Sequence, residues 1–396
     1  MQKLRLPYKQ ILTCLFIVFS SSCTKKNDNN TIPFEKDGCF YIKAVLNDSI
    51  EGRFVFDTGA DGLYLDSTFL NKHKSLAILA SETVRMRGAG STDYKEISLL
   101  KDSIKVTISD SYIHTFTDIP IFKLTDINGD DIAGIIGNEF IKNQVLCVDN
   151  ENLTLSITPS VNKKDYNIEI PFEYDDGRIY FPLKIWLTEN TMVEPRLLMD
   201  LGCGESVIFN TPFYKTIKGN IENSITYTIL HGGALGGNSN GGEFRASSMS
   251  IGECSLHNPL LSYSIDTLGA FSKTEYDGLL GNQVLDRFNY AIDYKNNRLY
   301  LSQNNKYKEP FNSTLTGFYA MKRSDFATVE SIYYQSEAHQ NGLQLGDTII
   351  KINNKDIGGL TDSEFYNILR NRDKVILTIT RNEKESKISF TPKYLL

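Results

Sequence analysis

The feature that most restricts the fold of this chain is a long internal repeat. The run IPFE at 32–35 recurs at 170–173, and GIIGN at 134–138 is matched by GLLGN at 278–282. Matching positions lie about 140 residues apart. This period is far longer than a solenoid unit, so we expect two copies of one domain and not an array of small repeats.

The sequence pattern of both halves predicts short strands. Apolar residues alternate at 40–45 and again at 179–185, and turns rich in Gly, Asn and Asp separate such runs. A turn or two of helix is expected at 138–142 and at 282–288, where apolar residues are spaced three or four apart. The pattern therefore predicts a mainly β fold.

Each half also carries one aspartate at the end of an apolar strand, just before a glycine turn. The sequence is FVFDTGAD at 54–61 and LLMDLGCG at 197–204. An aspartate before such a turn usually only accepts main-chain hydrogen bonds. Burying a carboxylate is costly, however, unless a partner or a chemical role compensates. Two such loops facing each other would hold Asp57 and Asp200 around one water molecule.

Together these motifs resemble the aspartic peptidases of the pepsin and retropepsin group, over residues 32–305. The resemblance implies two related lobes, each like a six-stranded barrel, at 32–160 and 168–305. It implies that Asp57 and Asp200 are a catalytic pair that activates water, without a metal or cofactor. The active-site loops would contain Thr58, Gly59 and Ala60 in the first half and Leu201, Gly202 and Cys203 in the second.

The second loop departs from the family pattern. In the family, a Thr or Ser of each loop bonds across to the partner loop, which Thr58 can do and Leu201 cannot. Ala60 and Cys203 stand where a hydroxyl generally bonds the carboxylate, so we expect raised pKa values and activity at about pH 5 to 7. The alternative to an active endopeptidase is a non-catalytic peptide-binding envelope protein with a degenerate second loop.

Each half also contains a glycine-rich stretch, at 85–92 and at 231–238. Glycine permits positive φ and close approach of the backbone to a ligand. We expect Gly88, Ala89 and Gly90 to form a mobile flap over an extended substrate. A flexible surface loop without substrate contact is the alternative.

The C-terminal region resembles a PDZ domain, a small α+β module, over 311–393. The resemblance rests on the run SEAHQNGLQLGDTIIKIN at 336–353 and implies an amphipathic helix at 361–369. It also implies a groove in which a peptide adds as a strand and its terminal carboxylate accepts main-chain hydrogen bonds. The donors would be Gly317, Phe318 and Tyr319. The alternative is a packing module with an occluded groove.

The N-terminus has the composition of an export signal. Basic residues precede an apolar run at 11–19, which is too short to span a bilayer. Small residues then precede Cys23, as in a bacterial lipoprotein signal. This resemblance implies a signal peptide at 1–23, a polar tether at 24–31 and a lipid on Cys23 that anchors the protein in the cell envelope. An ordinary cleaved signal peptide is the alternative.

Composition narrows the possible partners. The net charge is −6 and no basic cluster follows the N-terminus, which disfavours nucleic acid. The histidines show no ligand spacing, so no metal is expected. We expect a monomer whose partner is a peptide or protein substrate.

Two cysteines fall in each half, so Cys39 with Cys147 and Cys203 with Cys254 is the simplest pairing, with buried free thiols as the alternative.

Overall fold

The computed structural model describes residues 31–76, 82–86, 95–110, 112–125, 129, 131–230 and 237–396. Within these ranges the protein is mainly β, as the sequence predicts. The predicted signal segment, including Cys23, lies outside the described residues. In the part of the chain that is described, no helix is both long enough and apolar enough to cross a membrane.

The strands of the first half are β1 (Thr31–Asp37), β2 (Cys39–Leu46), β3 (Ile50–Phe56), β4 (Leu63–Asp66), β5 (Glu82–Met86), β6 (Lys95–Leu100), β7 (Ile104–Ser109), β8 (Tyr112–Phe116), β9 (Ile119–Phe122), β10 (Ile132–Ile136), β11 (Val145–Asp149) and β12 (Thr154–Thr158). Those of the second half are β13 (Ile168–Pro171), β14 (Glu173–Asp175), β15 (Arg178–Pro182), β16 (Lys184–Thr188), β17 (Thr191–Val193), β18 (Arg196–Met199), β19 (Val207–Phe209), β20 (Ser224–Ile229), β21 (Ser239–Arg245), β22 (Ser248–Ile251), β23 (Cys254–His257), β24 (Leu260–Ser264), β25 (Gly278–Leu280), β26 (Phe288–Asp293) and β27 (Arg298–Gln303).

The C-terminal strands are β28 (Phe318–Lys322), β29 (Ala327–Tyr333), β30 (Thr348–Ile352), β31 (Lys355–Asp356), β32 (Val375–Arg381) and β33 (Lys384–Phe390). The α-helices are α1 (Ser67–Lys72), α2 (Thr211–Ile217), α3 (Asn282–Leu285), α4 (Glu337–Gln340) and α5 (Asp362–Arg370). Short 3-10 turns lie at Asn138–Ile141, Lys163–Asp165, Lys218–Asn220, Ala270–Ser272 and Ile357–Gly359. The helical turns expected after the two Gly-Asn motifs are therefore present, although each is a single turn.

The same strand arrangement surrounds both aspartates. In the first half, β3 runs parallel to β10, β10 antiparallel to β4, and β4 parallel to β9. In the second half, β18, β25, β19 and β24 pair in the same order and with the same directions. Each aspartate follows the first strand of its set, β3 or β18, so the two loops begin at equivalent places.

A continuous sheet joins the two halves on one side of the molecule, in the order β13-β27-β26-β11-β12-β1. The junction is the antiparallel pair β11–β26. Beside it, Asn150 donates to the carbonyls of Leu285 and Phe288, and Lys36 forms an ion pair with Asp286. These contacts fix the two halves relative to each other.

The C-terminal strands enclose a second hydrophobic core, built from β28, β29, β30, β32, β33, α4 and α5. Helix α5 begins one residue after the predicted start because Thr361 caps it, in a capping box with Glu364. Strand β29 also pairs antiparallel with β20 of the second half. The C-terminal module, residues 311–393, thus continues a sheet of the second half.

None of the four cysteines in the described residues forms a disulfide, so the predicted pairing within each half is wrong. The reason is their placement. Cys39 lies against the opposite half, where its Sγ donates to the Gly202 carbonyl at 2.9 Å. Cys147 lies near Thr158, and Cys254 accepts a hydrogen bond from Gln303.

Candidate active site

The two aspartates are placed by strands with buried aromatic or aliphatic side chains. Phe54, Val55 and Phe56 of β3 are buried, and the strand ends where Asp57 begins the turn. The Asp57 N–H donates to the Ile136 carbonyl at 3.0 Å. In the second half, the Asp200 N–H donates to the Leu280 carbonyl at the same distance of 3.0 Å. Each loop therefore leaves its sheet from a fixed point.

Each aspartate is oriented by the glycine two residues later. The Gly59 N–H donates to Asp57 Oδ1 at 2.7 Å, and the Gly202 N–H donates to Asp200 Oδ1 at 2.8 Å. A Cβ on Gly59 would lie 3.1 Å from the Asp200 Cγ, and one on Gly202 would lie 2.7 Å from the Asp57 Cγ. Both positions need glycine because each loop packs against the carboxyl group of the other.

The two carboxyl groups line the same cavity and form a hydrogen bond with each other. Burial raises the pKa of Asp200 well above its ordinary value, and the charge of Asp57 and their hydrogen bond raise it further. Burial also raises the pKa of Asp57, but the hydrogen bond from Asp200 and those from the loop N–H groups oppose this. The two carboxyl groups therefore titrate as one coupled pair that shares one proton.

The link between the loops is one-sided. Thr58 Oγ1 donates to the Met199 carbonyl at 3.1 Å and accepts from the Leu201 N–H at 3.1 Å. Leu201 is fully buried and has no hydroxyl to return these bonds. The prediction that Thr58 can bond across and that Leu201 cannot agrees with this geometry.

Two buried asparagines support the loops in a way that we did not predict from the sequence. Asn138 donates to the carbonyls of Thr58 and Gly177, at 3.1 and 2.6 Å. Asn282 donates to the carbonyls of Leu201 and Gly38, at 2.9 and 2.8 Å. The available signal was their repetition in GIIGN and GLLGN, since a polar residue repeated beside apolar strands needs partners.

A cavity of about 450 Å³ opens beside the carboxyl groups. Its lining residues are Asp57, Gly59, Arg178, Leu198, Asp200, Ala270, Phe271, Lys273, Tyr276 and Leu279. The cavity is large enough to hold one substrate side chain next to the carboxyl pair. Ala60 and Cys203, although in the active-site loops, do not line it.

The predicted flap lies only partly in the described residues. Strands β5 and β6 form an antiparallel hairpin, but Gly88, Ala89 and Gly90, between them, lie outside the described residues. In the second half β20 and β21 form the corresponding hairpin. The proposed role of the first hairpin as a flap stays a prediction.

The C-terminal module has an open groove of about 310 Å³ between β28 and α5. Its lining residues are Leu315, Thr316, Phe318, Tyr319, Ala320, Tyr366, Leu369 and Arg370. The N–H groups predicted to hold a carboxylate are donated to hydroxyls: Gly317 to Thr314, Phe318 to Thr316 and Tyr319 to Ser331, at 3.1, 3.5 and 3.2 Å. A peptide terminus would have to displace these bonds.

Within the described residues, no group of three or more His, Cys, Asp or Glu side chains is arranged to hold a metal ion. Comparison with protein-family models finds no match for the chain, and no curated protein is significantly similar to it.

Proposed function

We propose that the protein is an aspartic endopeptidase with two lobes of the pepsin and retropepsin kind, at 32–160 and 168–305. The observation that carries the proposal is the meeting of Asp57 and Asp200, each from one half, in hydrogen-bond contact beside an open cavity. Paired carboxyl groups sharing one proton are suited to acid–base work on one water molecule.

In the proposed reaction, the ionised member of the pair removes a proton from the attacking water. The protonated member donates to the carbonyl oxygen of the scissile bond. The product of this step is a tetrahedral diol, formed without a covalent enzyme intermediate. Collapse of the diol then requires proton transfer to the leaving amine, which the same pair can supply.

The test is cleavage of an unfolded protein at about pH 6 by the purified chain without its signal segment. Asp57→Asn and Asp200→Asn are each expected to abolish cleavage, because each removes one member of the pair. Asp118→Asn is a matched control, since Asp118 is in an exposed turn with φ of 53°, which asparagine also adopts. Cleavage that persists in both active-site variants contradicts the proposal.

A non-catalytic peptide-binding protein is the second candidate, because Leu201 leaves the link between the loops one-sided. It predicts that the wild-type chain binds an unfolded protein and never cleaves it. Loss of cleavage with only one of the two Asn variants would instead indicate that the active site forms between two chains.

The C-terminal module is proposed to act as a PDZ domain that binds peptide ends in the groove between β28 and α5. The N-terminal segment is proposed to be a lipoprotein signal that anchors the chain in a bacterial cell envelope through Cys23. Cys23→Ser is expected to release the protein from the membrane fraction of expressing bacteria. Release that is unaffected by this substitution contradicts the lipid anchor and leaves the peptidase proposal intact.

A further inference from the structure

The cavity beside the carboxyl pair has two cationic side chains in its wall. Arg178 and Lys273 both line it, together with apolar surface from Leu198, Phe271 and Tyr276. A pocket for an apolar substrate side chain needs no cation, and desolvating one would weaken binding. Apolar surface next to two cations fits a substrate group that has a short aliphatic part and ends in a negative charge.

Arg178 is placed by a turn that has a counterpart in the first half. Gly177 and Gly38 both have positive φ, of 76° and 72°, and precede Arg178 and Cys39. Cys39 closes directly onto the Gly202 carbonyl at 2.9 Å. The longer Arg178 side chain instead lines the cavity. The cleft is therefore asymmetric at this point, because Cys39, at the equivalent position of the first half, does not line it.

Arg178 keeps donor capacity for a ligand. Its ion-pair partners are Asp61 at 3.6 Å and Asp176 at 3.5 Å, and one of its N–H groups also hydrogen-bonds the Tyr180 hydroxyl. These carboxylates are 55% and 88% exposed, so water screens both pairs. A guanidinium has five N–H donors and binds a carboxylate in a bidentate manner. Lys273 is exposed, and its hydrogen bonds with Asn210 and Ala270 use main-chain atoms of the lysine, its carbonyl and its N–H.

We propose that this cavity is a subsite for a substrate carboxylate next to the scissile bond, with Arg178 as the main donor and Lys273 as the second. The inference rests on the proposed peptidase function and names its substrate class: peptides with Glu or Asp close to the cleaved bond. The carboxylate comes either from such a side chain or from the free end of a peptide.

The experiment measures kcat/KM at about pH 6, starting from an uncharged peptide that the protein cleaves. Variants of this peptide have Glu at one of the three positions on either side of the scissile bond. Gln at the same position is the reference, and all these peptides have amidated ends. A second set places the free α-carboxylate at the same distances. At one position the wild type is expected to favour a carboxylate over its neutral form by on the order of tenfold.

Arg178→Met is expected to bring this ratio near one, Arg178→Lys to keep part of it, and Lys273→Met to lower it by a smaller factor. Lys184→Met is the matched control, because it removes one positive charge from an exposed residue of β16 outside the cavity and should leave the ratio unchanged. The ratio cancels general losses of folding or activity.

A wild-type ratio near one at every position overturns the subsite, and so does a preference that Arg178→Met leaves intact. Preference for the free α-carboxylate alone assigns the subsite to peptide ends. If the wild type cleaves no peptide, the proposed function fails instead, so the two failures are distinguishable.

Discussion

Removing the hydroxyl of Thr58 tests the one-sided link between the loops. Thr58→Val is nearly isosteric, and Thr58 is only 1% exposed. The substitution removes the hydroxyl that bonds the buried Met199 carbonyl and the buried Leu201 N–H. Each of these two groups costs about 1–3 kcal/mol, so we expect a loss of about 2–6 kcal/mol in the free energy of unfolding.

Thr58→Ser is the matched control, because it keeps the hydroxyl and removes only a methyl group, at a cost of about 1 kcal/mol. The assay is urea unfolding at neutral pH, followed by intrinsic fluorescence, with the midpoint and slope compared among the three proteins. In the same preparations, kcat for peptide cleavage should fall much further in Thr58→Val than in Thr58→Ser. The cause would be loss of the fixed distance between the two carboxyl groups.

Equal stability of the Val and Ser variants would refute this reasoning. The two halves would then be held by the β11–β26 sheet and its side-chain contacts alone, and the loop contact would be incidental. A change in slope without a change in midpoint would also count against it, because the hydroxyl bonds are expected to act on the native state.

Three further predictions follow from the charged groups and the groove. Burial, with the charge of Glu205, raises the pKa of Glu243 from 4.5 to about 8, above its unfolded value, so stability falls as pH rises through this window. Glu243→Gln should therefore stabilise the protein progressively from about pH 4.5 to pH 8, by at most a few kcal/mol; equal pH dependence of stability in variant and wild type contradicts this. The raised pKa values of Asp57 and Asp200 shift both limbs of the rate profile upward, so kcat/KM should peak at about pH 5 to 7, and a peak below about pH 3 contradicts it. Tyr319→Ala, which removes an exposed ring stacked on Tyr366 in the groove, should weaken binding of a labelled peptide with a free C-terminus several-fold, as measured by fluorescence anisotropy; unchanged affinity places the peptide elsewhere.

The local features that depend on a short stretch of sequence were predictable. Alternation in 40–45 corresponds to β2, whereas the stretch at 179–185 is divided into β15 and β16. Leu183, between these two strands, is also buried, so the apolar pattern continues across the break. Alternation alone therefore cannot show where β15, which pairs with β18, ends and β16, which pairs with β17 and β22, begins. The Asp loops were predictable because a carboxylate, a glycine and an apolar strand each restrict the backbone. The repeat contains this combination twice, once in each half.

Features that depend on main-chain pairing between distant strands were not predictable. The β20–β29 pair joins the C-terminal module to the second half, but an edge strand carries no residue type that specifies its partner. The signal present was indirect: Glu243 is buried where Tyr333 of β29 donates a hydrogen bond to it. A lone glutamate in a strand does not reveal which element will cover it.

The second loop keeps most of the contacts of the first, although Leu201 has no hydroxyl. Three sets of contacts fix the loops, and two of them are the same in both halves: the glycine N–H bonds to the aspartates, and the asparagine bonds to the loop carbonyls. Only the bonds made by Thr58 lack a counterpart. Leu201 replaces them with a fully buried apolar side chain, which stabilises the second loop by packing instead. The position of Asp200 is therefore set by contacts that do not involve the Leu201 side chain, and the residue type at position 201 could not reveal them.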